Sequence, residues 1–98
     1  MPDDDFRQLA DTIDRSIRQH APALADRVQR KPGNGESVTW INGDAWATLV
    51  LHEAGRLELT LHTRSDEHPQ TLEIRLDDAD VVNMIAEPAA ALLAGKQQ

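Results

Sequence analysis

The sequence predicts an α+β fold of two layers: an N-terminal helix, four antiparallel strands in a meander, and a C-terminal helix, with both helices on one sheet face. Three observations predict it. Over residues 4–30 apolar side chains recur at spacings of three, four or seven, the helical period. Over residues 37–76 they alternate with polar ones, and turn signals interrupt them. Over residues 78–94 the helical period returns. The 98 residues are read as a single domain, 1–98.

In the first helix the apolar positions are Phe6, Leu9, Ile13, Ile17, Leu24 and Val28. Asp3, Asp4 and Asp5 sit where acids favour a helix N-terminus. Asp11–Arg15 and Asp14–Arg18 are i,i+4 pairs in the favourable order. Pro22 interrupts the pattern, and it predicts a kink, or an end near His20 followed by a second short helix. Lys31-Pro32-Gly33-Asn34-Gly35 is a break.

In the strand region Asn42-Gly43 predicts a type I′ hairpin, with Trp40 opposite Ala45 and Thr39 opposite Trp46. Glu53-Ala54-Gly55 predicts a three-residue loop with Gly55 left-handed. That register places Leu51 opposite Leu57, Leu49 opposite Leu59 and Ala47 opposite Leu61. It keeps one face apolar, which a two-residue turn would not. Thr63–Gln70 reads as a polar loop, and Leu72, Ile74 and Leu76 as a fourth strand. The apolar face then carries Val38, Trp40, Ala47, Leu49, Leu51, Leu57, Leu59, Leu61, Leu72, Ile74 and Leu76.

The last helix starts at an N-cap, Asp77 or Asp78, and has Val81, Val82, Ile85, Ala89 and Leu92 as its buried stripe. Gly95 ends it. Pro88 lies too deep for a first turn, so it predicts a kink or break near residues 83–87.

Composition excludes several classes. There are 10 Lys+Arg against 17 Asp+Glu, a formal net charge of −7. A nucleic-acid backbone needs clustered cations, so no nucleic-acid partner is expected. No apolar run approaches the ~18 residues of a membrane span, so no membrane partner is expected. The acidic start, Pro2-Asp3-Asp4-Asp5, is unlike the basic start of a signal peptide. The absence of cysteine excludes a disulfide scaffold, a thiolate metal site and a cysteine nucleophile. A cytoplasmic location is the resulting expectation. Eight of the ten cations are Arg, which together with the Ala, Asp and Leu content resembles the codon bias of a GC-rich bacterial or phage gene.

No constellation predicts chemistry. Of the four histidines, His62 lies opposite Trp46 in the expected register, and His52 is six residues further along that strand. At ~3.3 Å per residue they are roughly 20 Å apart and cannot share a metal ion. His52-Glu53 lacks the second His of a zincin helix. His68 lies in a loop beside Asp66 and Glu67. Ser16 and His20, near Asp11 and Asp14, have the spacing of any polar helix face, with no nucleophile elbow. Pro32-Gly33-Asn34-Gly35 lacks the Lys-Ser/Thr of a phosphate loop. No catalytic residue, cofactor or metal ligand is therefore assigned. A chain this short is expected to have little room for a buried ~300 Å³ pocket unless it dimerises. Carboxylates cluster at residues 3–5, 66–67 and 77–80, which allows phosphate mimicry or steering of a basic partner. Two of the clusters lie at helix N-termini, where acids are stabilising anyway.

What remains is a small acidic non-enzymatic interaction module. Adaptor, immunity or antitoxin, secretion-chaperone and phage-inhibitor types all fit that class. The expected surface is the outer sheet face, through Ile41, Trp46, Thr48, Val50, His52, Thr60 and His62, with Thr39, Arg56 and Glu58 around them. Apolar residues scattered singly on a wet face are ordinary, but Trp46 with Ile41 and Val50 is an interface pattern. The partner is a protein or a second copy of the chain, with a homodimer favoured. The alternative is a small-ligand or metal-dependent protein using His and carboxylate side chains in a cleft between subunits.

Overall fold

A computed structural model describes residues 2–33, 35–64 and 69–95. The chain runs α1 (Pro2–His20), β1 (Gln29–Pro32), β2 (Ser37–Asn42), β3 (Ala45–Leu51), β4 (Arg56–Thr63), β5 (Gln70–Arg75) and α2 (Val81–Leu93). All strand pairs are antiparallel and follow chain order, so the α+β meander holds with five strands and not four.

α1 buries Phe6, Ala10, Ile13 and Ile17, one stripe of the helical period. It ends at His20, one of the two outcomes expected of Pro22, and residues 29–32 form a strand where the helical pattern had run to residue 30. Pro22 has no N–H for the helical ladder, and it opens a single 3-10 turn, Pro22–Leu24. The chain then lays β1 along β2, with Arg30 opposite Trp40 and Pro32 opposite Val38. Side chains hold this return. Arg18 donates through Nε to Asp14 Oδ2 at 3.1 Å, through Nη2 to the Val28 carbonyl at 3.1 Å, and through Nη1 to the Ala25 carbonyl. Asp11 was expected to pair with Arg15, but it takes Arg30 Nη1 at 2.6 Å. β1 is mostly exposed, charged and ends in proline, which makes it a protected sheet edge.

The first hairpin turns one residue later than the Asn-Gly signal suggests. Asn42 pairs with Ala45, Ile41 with Trp46, Trp40 with Ala47 and Thr39 with Thr48. Gly43 carries φ +61°, and no other residue of the turn has a positive φ, the type II′ pattern in place of type I′. Asn42 is held in the strand because its Nδ2 donates to the Leu93 carbonyl of α2 at 2.8 Å. The register moves by two residues, so every side chain keeps its face.

The second connection follows expectation. Leu51 pairs with Leu57, Leu49 with Leu59 and Ala47 with Leu61, and Gly55 has φ +71°. Ala54 shares the left-handed conformation at φ +63°, the one non-glycine residue to do so among those described. β5 starts at Gln70, ahead of the expected Leu72, and ends at Arg75. Leu76 lies past the strand and is 38% exposed, so it leaves the apolar face assigned to it.

α2 begins after Asp80, later than Asp77 or Asp78. Asp78 Oδ1 accepts the Asp80 backbone N–H at 2.9 Å, a local turn just outside the helix. The helix is continuous through Pro88, where a kink or break was expected. The carbonyl that Pro88 deprives of a donor is that of Met84, and Met84 is on the solvent side, 41% exposed. Gly95 at φ +72° closes the helix as expected, its N–H on the Leu92 carbonyl.

Both helices meet the inner sheet face in one core. Trp40, Leu49, Leu57 and Leu59 from the sheet join Ile13, Ile17, Ile85, Ala86 and Ala89 from the helices. Trp40 is fully buried, and its indole N–H donates to Asp14 Oδ1 at 2.9 Å.

Candidate functional site

Among the described residues no helix lies on the opposite face of the sheet. Its side chains fall into rows across the strands, fixed by the pairing register. The first row is Gln29, Ile41, Trp46 and His62. The second is Lys31, Thr39, Thr48, Thr60 and Thr71. The third is Ser37, Val50, Glu58 and Glu73. The fourth pairs Arg56 with Arg75, and the His52 backbone N–H joins it by donating to the Arg56 carbonyl at 2.7 Å.

All seven expected surface residues lie on this face, and each is half-buried. The structure brings three of them into one group. Ile41 is directly opposite Trp46, where Thr39 had been expected, and Trp46 stacks on His62 with ring centroids 5.2 Å apart at a 32° tilt. Val50 does not join them. It lies four residues further along β3, ~13 Å at the usual rise, with Thr48 between. Thr48 and Thr60 belong to the threonine row, in which Thr39 and Thr48 share an Oγ1–Oγ1 hydrogen bond of 3.1 Å. His52 lies at the charged end, its Nε2 3.0 Å from Glu58 Oε1. Beside it Arg56 Nη1 meets Glu73 Oε2 at 3.2 Å. The face therefore grades from an aromatic and aliphatic end, through hydroxyls, to a polar and charged end where His52 meets Glu58 and Arg56 meets Glu73.

The other candidates are dispersed. His52 and His62 lie in the fourth and first rows, as the register required. Among the described residues no three His, Cys, Asp or Glu side chains come together to hold a metal ion. His68, Asp66 and Glu67 lie outside the described residues, as do the side chains of Asp3 and Asp4. His20 Nδ1 is 2.8 Å from the Ser16 carbonyl, an acceptor, so that nitrogen carries the proton and is no base for the Ser16 hydroxyl. No helix among the described residues is long and apolar enough to cross a membrane.

Two features escaped the sequence. The threonine row depends on the true register, because Thr39 opposite Trp46 would break it. The second is an open groove of about 400 Å³ between α1 and the β1–β2 hairpin. Glycines at 33 and 35 were the one signal of a tight hairpin end there. Comparison with family models, with curated proteins and with solved structures gives no match to the chain.

Proposed function

We propose that the chain is a non-enzymatic interaction module of the cytoplasm that associates through its outer sheet face, and that the occupant is a second copy of itself. The observation that carries this is a contrast of charge. The whole chain has a formal charge of −7. On the outer face Lys31, Arg56 and Arg75 stand against Glu58 and Glu73, a formal sum of +1. This near-neutral face is where two acidic copies meet with least repulsion. A basic foreign partner would be drawn to the acidic surfaces and not to this one.

Size supports the same occupant. The sheet has five strands. At ~4.8 Å between strands and ~3.3 Å per residue, five strands of six residues cover roughly 24 by 20 Å, about 480 Å² of flat projection. Two such faces bury about 1,000 Å² before side-chain relief is added, the lower bound of a specific interface. Ile41, Trp46 and His62 supply the desolvated anchor that hot spots require, and the paired ions at the other end form a polar rim.

The experiment is sedimentation of wild type and of the Trp46→Ser, Val50→Lys double variant. A chain of 10.9 kDa should sediment as a dimer of twice that mass. The variant should sediment as a monomer with an unchanged far-UV spectrum. A monomeric wild type, or a variant of unchanged mass, removes the outer face as the site of self-association.

A further inference from the structure

The sheet has two edges, β1 and β5. β1 is four residues long and ends in Pro32. β5 has six residues and neither proline nor lysine to protect it. The hydrogen bonds fix which way β5 points its backbone. The Leu76 N–H donates to the Gly55 carbonyl at 2.8 Å, on the β4 side. Backbone groups alternate in direction along a strand, so Ile74, Leu72 and Gln70 also face β4. Thr71, Glu73 and Arg75 therefore point their backbone groups away from the sheet. The Arg75 carbonyl is taken, since it accepts the Asp78 N–H at 3.1 Å. The outward backbone groups of Thr71 and Glu73 have no partner among the described residues. An edge with unpaired donors and acceptors is a template for another strand.

This edge is complementary to itself. With a two-fold axis at Leu72, Thr71 lies opposite Glu73 of the second copy. The two residues exchange both backbone bonds on each side of the axis, and every outward group of Thr71 and Glu73 is used. The same register sets Arg75 opposite Pro69 of the second copy. There the Arg75 N–H meets the Pro69 carbonyl, the Arg75 carbonyl keeps its Asp78 donor, and Pro69 has no N–H to leave unpaired. Leu72 is half-buried and meets its own copy at the axis, which covers its open side. Neighbouring registers fail. An axis at Glu73 sets like charges directly opposite each other. An axis at Ile74 asks the Arg75 carbonyl for a second bond and moves Thr71 opposite Asp77, beyond the strand. An axis at Thr71 sets Glu73 opposite Pro69, which leaves the Glu73 carbonyl without a donor.

We propose that β5 pairs antiparallel with β5 of a second copy across a two-fold axis at Leu72, joining two five-stranded sheets into one. The contact uses none of the outer-face anchors and does not rest on the dimer proposed above. It joins one strand to one strand and buries less than the five-strand face. It is therefore a weak contact, populated at millimolar concentration, above the range in which the outer face sets the mass.

Hydrogen exchange of the ¹⁵N-labelled chain, read amide by amide at micromolar and at millimolar concentration, tests the pairing. The Thr71 and Glu73 amides should exchange quickly when dilute and about tenfold more slowly when concentrated. The Leu72 amide, which faces β4, should be slow at both. The Trp46→Ser, Val50→Lys double variant should show the same change, so failure of the outer-face dimer and failure of the edge pairing are read separately. Thr71→Pro removes an outward N–H without taking a bond from the folded chain, and it should abolish the slowing at Glu73. The chain has no cysteine, so Leu72→Cys carries a single thiol. Across the axis the two Cα atoms would be ~4.5 Å apart, within the span of a disulfide. Oxidation of concentrated Leu72→Cys should give a linked dimer much faster than oxidation of Gln70→Cys, whose copies are held ~13 Å apart along the strands. Exchange at Thr71 and Glu73 that is independent of concentration overturns the proposal and leaves the edge to a strand of another protein. Equal linkage rates for Leu72→Cys and Gln70→Cys overturn it as well, because the axis would not lie at Leu72.

Discussion

The two tryptophans of this chain should respond to truncation in opposite ways, and their contrast tests the register. Trp40 is fully buried at the centre of the core and hydrogen-bonded through Nε1 to Asp14. Trp40→Ala removes that burial and opens a cavity, a combination that costs ~3–5 kcal/mol. It also leaves Asp14 with only its Arg18 contact. A domain of this size has ~5–15 kcal/mol in total, so the variant should be marginal or unfolded at room temperature. Trp46 is half-buried on the opposite face, stacked on His62. Losing such a pair costs ~0.5–1.5 kcal/mol beyond the area it buries, and part of that ring is already wet. Urea denaturation followed by far-UV circular dichroism reads both values. Below the dimer dissociation constant the Trp46→Ala midpoint should fall slightly and the Trp40→Ala midpoint drastically. Equal losses would mean that both faces of the sheet are covered, and the open-face argument would fail with them. Fluorescence gives a second readout, since the Trp46→Phe variant leaves only the buried indole, whose emission should be blue-shifted and poorly quenched by iodide.

The β3–β4 loop gives two more outcomes of opposite sign. Ala54→Gly should raise stability by ~0.5–1 kcal/mol, because Ala54 sits at φ +63° where its Cβ is unfavourable, as a higher urea midpoint would show. Gly55→Val should lower stability by ~1–3 kcal/mol, because φ +71° is an outlier for a β-branched side chain. An unchanged midpoint for Gly55→Val would contradict the three-residue loop and the register built on it.

Parts of this fold were legible for reasons of parity. The alternation from Val38 to Ile74 names the buried face whatever the turn does, provided that the slip is even. The first hairpin did slip by two residues, and the inner and outer sets survived intact. What parity cannot supply is the identity of neighbours, so Ile41 beside Trp46 and the row of four threonines depend on the exact register. The slip has a long-range cause: the Asn42 amide is claimed by the Leu93 carbonyl, 51 residues away. β1 was hidden for a different reason. As an edge strand it needs no apolar alternation, and Arg30-Lys31-Pro32 reads as a loop until Arg18 and Asp11 are seen holding it. Glu36 is a lone acid in a polar stretch, and nothing local marks its carboxylate for burial.

Salt should strengthen self-association, and this separates a second copy from a basic partner. If the outer face has a formal charge of +1, the remainder of the chain carries −8, since the total is −7. Two copies docked face to face present those acidic remainders to each other around the rim. At low ionic strength the Debye length is ~30 Å at 0.01 M, comparable to the molecule itself, so the repulsion acts across the whole dimer. At 0.15 M it is ~8 Å, and only charges at the rim still interact. The attractive contacts, Ile41, Trp46 and the threonine row, are uncharged and gain or hold with added salt. The dimer dissociation constant from sedimentation should therefore fall several-fold between 0.01 M and 0.15 M salt. A basic partner attracted to the acidic surface would show the reverse slope. A dissociation constant that rises with salt would refute the dimer held by uncharged contacts, because the association would then depend on attraction between opposite charges.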